Sequence, residues 1–261
     1  MEVIDYEVQL SELRRKLWLI EPGEAVPRSL DLSVRRLARR AKRVGEIKWV
    51  RELRLLRGEL LLKMQQYARA GKQFRLILRD DPMSVDAMIG IAKSYAKCGR
   101  ISREREWFAR ARSVAEECEC YNDLLFILDE SASFAAIRSE WEEVSKLLGT
   151  MCTLLEIAPQ IEHRLLLTAW LMSEMDMAKE SLNFLECYAR HVLRKDYRKS
   201  LIYGVARSLV EAYRKSGMTF EDAESAIQSL CAFASDAQAA TIFADGGNTA
   251  NRQFSPMEKT E

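Results

Sequence analysis

Two adjacent stretches of the chain repeat the same spacing of small and aromatic residues. Gly58 and Phe74 in the first stretch are matched, 34 residues later, by Ala92 and Phe108 in the second. A self-similarity with a period of 20 to 50 residues is typical of repeat proteins, in which each repeat is one supersecondary unit. A chain with this repeat is therefore constrained to stack similar units side by side.

The composition indicates that those units are helical. The chain of 261 residues has 5 prolines and 11 glycines, which are few for a β-rich fold with its many turns. Its hydrophobic content of 48% is enough for a sizeable core, in one elongated domain or in two compact ones. We therefore expect an all-α fold of helices joined by short turns.

The repeat resembles the tetratricopeptide repeat, a helix–turn–helix unit of 34 residues. Further positions that match its pattern are Tyr67, Ala70 and Pro82 in the first stretch and Tyr95, Gly99 and Ala111 in the second. Three positions depart from the pattern, since they carry Arg54, Arg57 and Glu104. The resemblance implies a superhelical array of antiparallel helix pairs.

Gly58 calls for an explanation because glycine costs about 1 kcal/mol against alanine inside a helix. In a tetratricopeptide unit the two helices cross closely where small residues face each other. We therefore expect Gly58 to face Ala70, and Pro82 to end the second helix of the unit.

The chain divides into three parts by its patterns. Residues 1–50 contain two capping helices, residues 51–244 contain five repeat-like helix pairs, and residues 245–261 read as a small, polar, disordered tail. One of the five pairs has its first helix between Ile161 and Ser173. The prediction is about twelve helices in all.

The second capping helix, which follows Pro27, is strongly basic. Seven basic residues stand against a single acid, Asp31, between positions 28 and 43. The residues that form a stripe along this helix are Arg35, Arg36, Arg39, Arg40 and Arg43. Three interpretations stay open: a solvated helix face, a site for an acidic protein, and a site for nucleic acid phosphates.

The tetratricopeptide resemblance also implies a groove lined by the first helix of each unit. The groove positions carried onto the two clear repeats are Glu52, Leu55, Glu59, Leu62, Lys63, Asp86, Ile89, Lys93, Ala96 and Lys97. The lysines at the last position of both units would suit a ligand with acidic side chains or a free carboxylate.

A closer likeness is to the C-terminal portion of bacterial response regulators that join a receiver domain to tetratricopeptide repeats. It is carried by "LRLLRGELLLKMQQYARAGKQFRLILRDDP", "DAMIGIAKSYAKCGR" and "EIAPQIEHRLLLTAWLMSEMDMAKESLNFLECYARH". The likeness implies a signalling protein whose repeats bind a sensor kinase or a regulator. The chain shows no receiver pattern of its own, so no phosphorylation site is assigned.

Catalytic, metal and cofactor sites are not expected. The two histidines, His163 and His191, have no second ligand at helical spacing, and no phosphate-binding or nucleotide-binding glycine motif occurs. His191 stands near the end of a predicted helix, where a positive charge is favoured. The six cysteines lie in helical patterns without Cys-x-x-Cys spacing, and we expect them to be buried, reduced thiols.

The expected function is a non-catalytic, cytoplasmic protein-interaction module of bacterial signal transduction. No apolar run is long enough for a membrane span, and a net charge of +1 gives the whole chain no preference for membranes or nucleic acids. Alternatives are a nucleic-acid-binding regulator that uses the basic helix and an export or assembly chaperone. Trp18, at the edge of the array, is a candidate docking aromatic.

Overall fold

A computed structural model describes residues 5–20, 24–158, 178–195, 197 and 199–253 of the chain. Within these ranges every regular element is an α-helix, and the twelve helices confirm the predicted all-α class. The predicted helix between residues 161 and 173 lies outside the described residues. None of the described helices is both long and apolar enough to cross a lipid bilayer. The chain forms two compact units, which meet in sequence between Cys118 and Glu119.

The first unit contains six of these helices. Their bounds are α1 Tyr6–Trp18, α2 Arg28–Arg43, α3 Ile47–Lys63, α4 Tyr67–Asp80, α5 Val85–Lys97 and α6 Ile101–Glu117. From α2 onward each helix packs on the next, and α3 also contacts α1 and α5. The two predicted repeats are therefore the helix pairs α3/α4 and α5/α6.

Three-residue turns that end in the same way set the antiparallel packing in this unit. The central residues Gly45, Gln65 and Gly99 all have positive φ. The residue after each turn centre donates its N–H to a carbonyl five residues earlier, as Gln66 does to Leu61. This is the bond of a Schellman motif, which satisfies a free carbonyl at the helix end while it reverses the chain.

Gly58 lies in the interior, but its partner differs from the one we expected. A Cβ built on Gly58 would lie 2.4 Å from the ring of Phe74, and one on Gly90 would lie 2.5 Å from the same ring. We predicted that a contact with Ala70 explains the glycine at position 58. That explanation is wrong, because the residue that needs the space is Phe74. The missing side chains of α3 and α5 make room for a phenylalanine of α4.

The two arginines that break the tetratricopeptide pattern in α3 join neighbouring helices. Arg54 bonds the carboxylate of Asp80 and the carbonyl of Leu76 on α4. Arg57 Nε donates to Asp31 of α2 over 3.1 Å. Polar contacts between helices thus stand at positions where the pattern has large apolar residues.

The second unit contains the other described helices. Their bounds are α7 Tyr121–Ile137, α8 Trp141–Ile157, α9 Ala178–Arg194, α10 Lys199–Lys215, α11 Phe220–Cys231 and α12 Ala237–Gln253. They share one buried cluster that runs from Leu125 to Ala250. Helix α12 packs on α10 and α11 and continues through residues 245–253, where we expected a disordered tail.

The glycines that suggested the tail lie at close helix contacts. A Cβ on Gly246 would lie 3.0 Å from the Tyr203 ring of α10, and one on Gly247 would lie 2.9 Å from Ile227 of α11. Small residues allow helices to approach closely, so this glycine pair is part of the packing of α12.

Candidate interaction surfaces

Helix α2 separates its apolar and basic side chains onto two faces. The apolar face is buried among α1 and α3, and it consists of Leu30, Val34, Leu37 and Ala41. Their spacing of three or four residues leaves the opposite stripe to arginine and lysine. The fold of the first unit therefore presents the basic stripe on a helix that is anchored by its other side.

The basic face of α2, defined by Arg36, Arg39, Arg40, Lys42 and Arg43, is exposed to solvent. Within the described part of the chain none of these five side chains forms an ion pair, although Arg39 Nε donates to the carbonyl of Arg35. The predicted stripe is thus present at the surface in four of its five arginines.

Arg35 is the arginine of the predicted stripe that forms an ion pair within the first unit. Its guanidinium lies 2.6 Å from Asp31, which also receives Arg57 of α3. Asp31 is 8% exposed and so is a buried carboxylate held by two arginines. Arg35 therefore pairs within the fold although the sequence placed it in the basic stripe, and the acid four residues before it was the signal for this ion pair.

The predicted groove of α3 and α5 is partly formed. These helices are neighbours, Leu55 and Leu62 are half-buried against the core, and Glu59 is exposed. On α5, Asp86 and Lys97 are exposed, and Lys93 and Ala96 are half-buried. Ile89 is 2% exposed, so its assignment to the groove surface is wrong: it packs into the interior.

Two of the predicted groove residues hold helix α1 instead. Lys63 Nζ donates to the carbonyl oxygens of Leu17 and Ile20, over 2.8 and 2.9 Å, at the end of α1. Glu52 forms a 2.7 Å ion pair with Arg14. A cation at the carboxyl end of a helix satisfies free carbonyls and is favoured by the helix dipole. Lys63 is thus committed within the chain, which contradicts its predicted role toward an acidic ligand.

Helix α1 leaves one large aromatic side chain in solvent. Its other face is buried, and Tyr6 stacks on Trp49 with ring centroids 6.1 Å apart. Trp18 is 81% exposed at the last position of the helix. The structure therefore places the predicted docking aromatic at the surface.

His191 is buried, which disfavours a cation there although its place near a helix end favours one. Its ring is 3% exposed; Nδ1 donates to the Leu155 carbonyl over 2.7 Å, and Nε2 lies 3.0 Å from the Tyr197 hydroxyl. Burial lowers the pKa of His191, against the opposing effect of the Leu155 hydrogen bond. This histidine therefore joins α8 to α9 as a structural group.

The cysteines are reduced in the structure, but they are not all buried. Cys98, Cys118 and Cys120 are exposed, so the expectation of burial is wrong for these three. Among the described residues no group of three or more His, Cys, Asp and Glu side chains is arranged to hold a metal ion.

Comparison with known proteins shows a likeness in structure and none in sequence. No family model matches the chain, and no curated protein matches it. Among solved structures, it is similar to the crystal structure of BtubC (BKLC) from P. vanneervenii. The match has 14% sequence identity and a TM-score of 0.48, and it covers 88% of this chain and 91% of that chain.

Proposed function

We propose that this chain is a non-catalytic protein-interaction module of the tetratricopeptide type, and that its basic face on α2 binds an acidic surface of a partner protein. The observation that carries the proposal is the exposure of five cations on one helix, without an ion-pair partner in the described residues. These side chains stand on a helix whose other face is buried, so the backbone needs little rearrangement when they bind an acidic partner. Their charges also attract the partner from a distance and so increase the association rate.

An acidic protein fits this face better than nucleic acid does. The whole chain has a net charge of only +1, which gives it little long-range attraction for a polyanion. No aromatic residue stands among the arginines of α2, although aromatic side chains are what bind the bases of single strands. Both features are compatible with a compact acidic patch on a folded partner.

A charge-reversal pair tests the basic face. Arg36→Glu with Arg43→Glu is the test variant, and Lys72→Glu with Arg79→Glu is its control on α4, with the same spacing and charge change among exposed residues. With a short glutamate-rich peptide as the probe, we expect the test variant to bind about tenfold more weakly, which corresponds to about 1.4 kcal/mol. Equal affinities of the two variants would exclude a specific role for α2.

The same variants identify the class of the partner. Proteins captured by the native chain and by the control, but not by the Arg36/Arg43 variant, are the partners of the basic face. A short DNA duplex is the competing probe. Tight duplex binding with a steep dependence on salt would favour the nucleic-acid alternative over the acidic protein.

The groove of α3 and α5 is a second candidate site. It is favoured by the half-buried Leu55 and Leu62, which lie on the same helix as the exposed Glu59 and beside the helix that carries Lys97. Lys97→Glu tests it, with Lys72→Glu as the control. A partner lost with Lys97→Glu and kept by the Arg36/Arg43 variant would use the groove.

The signalling role is the least direct part of the proposal. Its support is the resemblance of the repeats to those of receiver-linked bacterial response regulators, which would make a sensor kinase or a regulator the partner. Capture of such a protein by the native chain is the expected result. Capture of exported or assembling subunits alone would favour the chaperone alternative.

A further inference from the structure

Helix α2 carries more cations than its single acid can balance. On α6, by contrast, arginine pairs with glutamate one turn away, at Arg103–Glu106 and again at Arg112–Glu116. Side chains three or four residues apart on a helix are neighbours, so opposite charges at this spacing stabilise the helix and like charges destabilise it. The basic face of α2 places arginine three and four residues from arginine, without an acid among them.

The repulsion between these arginines is not relieved within the described part of the chain. Asp31, the acid of α2, is buried and already holds Arg35 and Arg57. None of the five side chains of the basic face forms an ion pair with another described residue. The free helix therefore retains a charge repulsion that an acidic ligand would remove.

Part of the basic face forms a line along the helix, with an exposed leucine at its start. Leu32, Arg36, Arg39 and Arg43 follow one another at intervals of four, three and four residues. At about 3.6 residues per turn, these intervals keep the four side chains within about 60° around the axis, over about 16 Å of its length. Leu32 is 46% exposed, whereas the other leucines of α2 are buried. This Leu32–Arg43 line therefore offers three cations and an apolar contact.

The spacing of the line fits the side chains of a second helix better than those of an extended strand. Its arginines lie on average about 5.3 Å apart along the axis. Acids that recur every three or four residues on a partner helix have nearly the same spacing, because one helical turn rises about 5.4 Å. Side chains on one face of a strand are about 6.7 Å apart, so they fall out of step with the arginines.

We propose that the partner of the basic face is an acidic α-helix, which lies along the Leu32–Arg43 line and presents a carboxylate to each arginine and an apolar side chain to Leu32. This inference rests on the proposed function, because it names the element that the acidic partner uses. Charges provide most of the attraction, and the regular spacing of acids provides the selectivity for a helix.

Two synthetic peptides of identical composition test the arrangement. Each has about 15 residues, a length at which an isolated helix is only marginal, and consists of three glutamates, two leucines, alanine and glutamine. In the line peptide the glutamates follow one another at intervals of three and four residues, with a leucine one turn before and one turn after them, so that either direction of the peptide brings a leucine to Leu32. In the scrambled peptide the same residues are spread around the helix.

Calorimetric titration of the full chain measures both affinities. We expect the line peptide to bind about tenfold more tightly than the scrambled peptide. The Arg36/Arg43 charge-reversal variant should lose this binding, and the Lys72/Arg79 control should keep it. Circular dichroism should show that the line peptide gains helix on binding; a bound peptide without that gain would overturn the proposal.

The apolar contact has its own pair of variants. Leu32→Gln should weaken the line peptide about threefold, because the leucine contact is lost. Val8→Gln on α1 is the control, since Val8 is also apolar and 61% exposed, and it should leave the affinity unchanged. An equal effect of the two substitutions would remove Leu32 from the site.

The outcomes separate this inference from the proposed function. If both peptides bound equally and both were lost in the Arg36/Arg43 variant, the helical partner would be overturned and the acidic partner would stand. If no binding depended on Arg36 and Arg43, both proposals would fail. Vesicles of phosphatidylserine are the competing probe, and tighter binding to them than to the line peptide would overturn the helical partner in favour of a lipid surface.

Discussion

At the scale of single residues, the first unit is organised around the ring of Phe74. The ring belongs to α4, is 1% exposed, and occupies the space left by Gly58 of α3 and Gly90 of α5. Carbon atoms that are not bonded do not approach to 2.4 Å, so a side chain at either glycine would force the ring to move. The packing of α3, α4 and α5 thus depends on one aromatic side chain and on two glycines, which have no side chain to clash with it.

We predict that Gly58→Ala destabilises the protein. Alanine is the better helix former by about 1 kcal/mol, but its Cβ would overlap the buried ring of Phe74. Overpacking of a filled core costs about 1 to 3 kcal/mol, and we expect this effect to dominate. Urea unfolding followed by circular dichroism measures the difference.

Gly149 of α8 is the control for that substitution. Among the described residues, no heavy atom lies within 4 Å of a Cβ built there, so Gly149→Ala gains helix propensity without a clash with them. We expect it to stabilise the protein by about 0.5 to 1 kcal/mol. If Gly58→Ala and Gly149→Ala were equally stabilising, the Phe74 contact would not constrain the fold.

His191 makes stability depend on pH in a defined direction. Burial holds its pKa in the folded state below the ordinary value of 6.5, so the unfolded chain binds a proton first as the pH falls. We therefore expect the free energy of unfolding to decrease below about pH 6.5 and to level off below the folded-state pKa. The stability is fully present above the unfolded value.

The measurement compares urea unfolding at several pH values in a His163→Gln background, where His191 is the remaining histidine. His191→Gln in that background should remove the part of the decrease that begins below about pH 6.5. An unchanged slope would mean that carboxylates, and not this ring, cause the pH dependence.

The repeat spacing identified the residues of this core but not their contact. Gly58 and Phe74 both stood out in the sequence, and both are buried. Their meeting depends on how α3, α4 and α5 cross, which brings the large residue of α4 to the glycine instead of Ala70. A sequence period fixes the helix faces, whereas the crossing angle and side-chain directions decide which atoms touch.

At the scale of helices, α1 depends on a lysine of α3. Lys63 reaches two carbonyl oxygens at the carboxyl end of α1, and Arg14 of α1 pairs with Glu52. We predict that Lys63→Met weakens the docking of α1 by about 0.5 to 2 kcal/mol, because hydrogen bonds to a charged group and a favourable charge at the helix end are lost.

Hydrogen exchange of the α1 amides reports this loss locally. Lys63→Met should speed their exchange, while Lys72→Met on α4 removes an exposed lysine and should leave α1 unchanged. Equal protection of α1 in the two variants would show that its buried face alone holds the helix in place.

Helix periodicity predicted most of the helices. It failed at Gly246 and Gly247, because glycine is common both in linkers and at close helix contacts. The helix pairs of the first unit followed from apolar spacing and from turn residues such as Gly99. Gly246 and Gly247 read as a tail because a linker uses the same residues. Their role in bringing α12 close to α10 and α11 depends on residues such as Tyr203 and Ile227, which lie far away in sequence.

The partial outcome for the groove has a similar cause. Lys63 and Lys97 occupy the same position of successive repeats, but α1 lies beside α3 and engages Lys63. The sequence predicted capping helices without specifying which side chains they would use. Groove residues carried over from a repeat pattern are therefore least reliable next to a cap.

At the scale of the whole molecule, each unit has its own buried interior. In the first unit, a cluster that includes Leu13 and Leu53 joins α1, α2 and α3, and a second cluster surrounds Phe74. The second unit has a separate cluster from Leu125 to Ala250. The α2 basic face thus belongs to the first unit, whose clusters hold α2 in place.

We predict that residues 1–118 fold on their own. This length lies within the usual size of a domain, and the cluster around Leu53 and the cluster around Phe74 contain residues of this unit alone. The fragment should show helical circular dichroism and a single cooperative unfolding transition. Gly58→Ala should lower its stability by the same amount as in the full chain, since Phe74 and Gly90 are both present. A fragment without cooperative unfolding would show that the first unit needs the second to form its core.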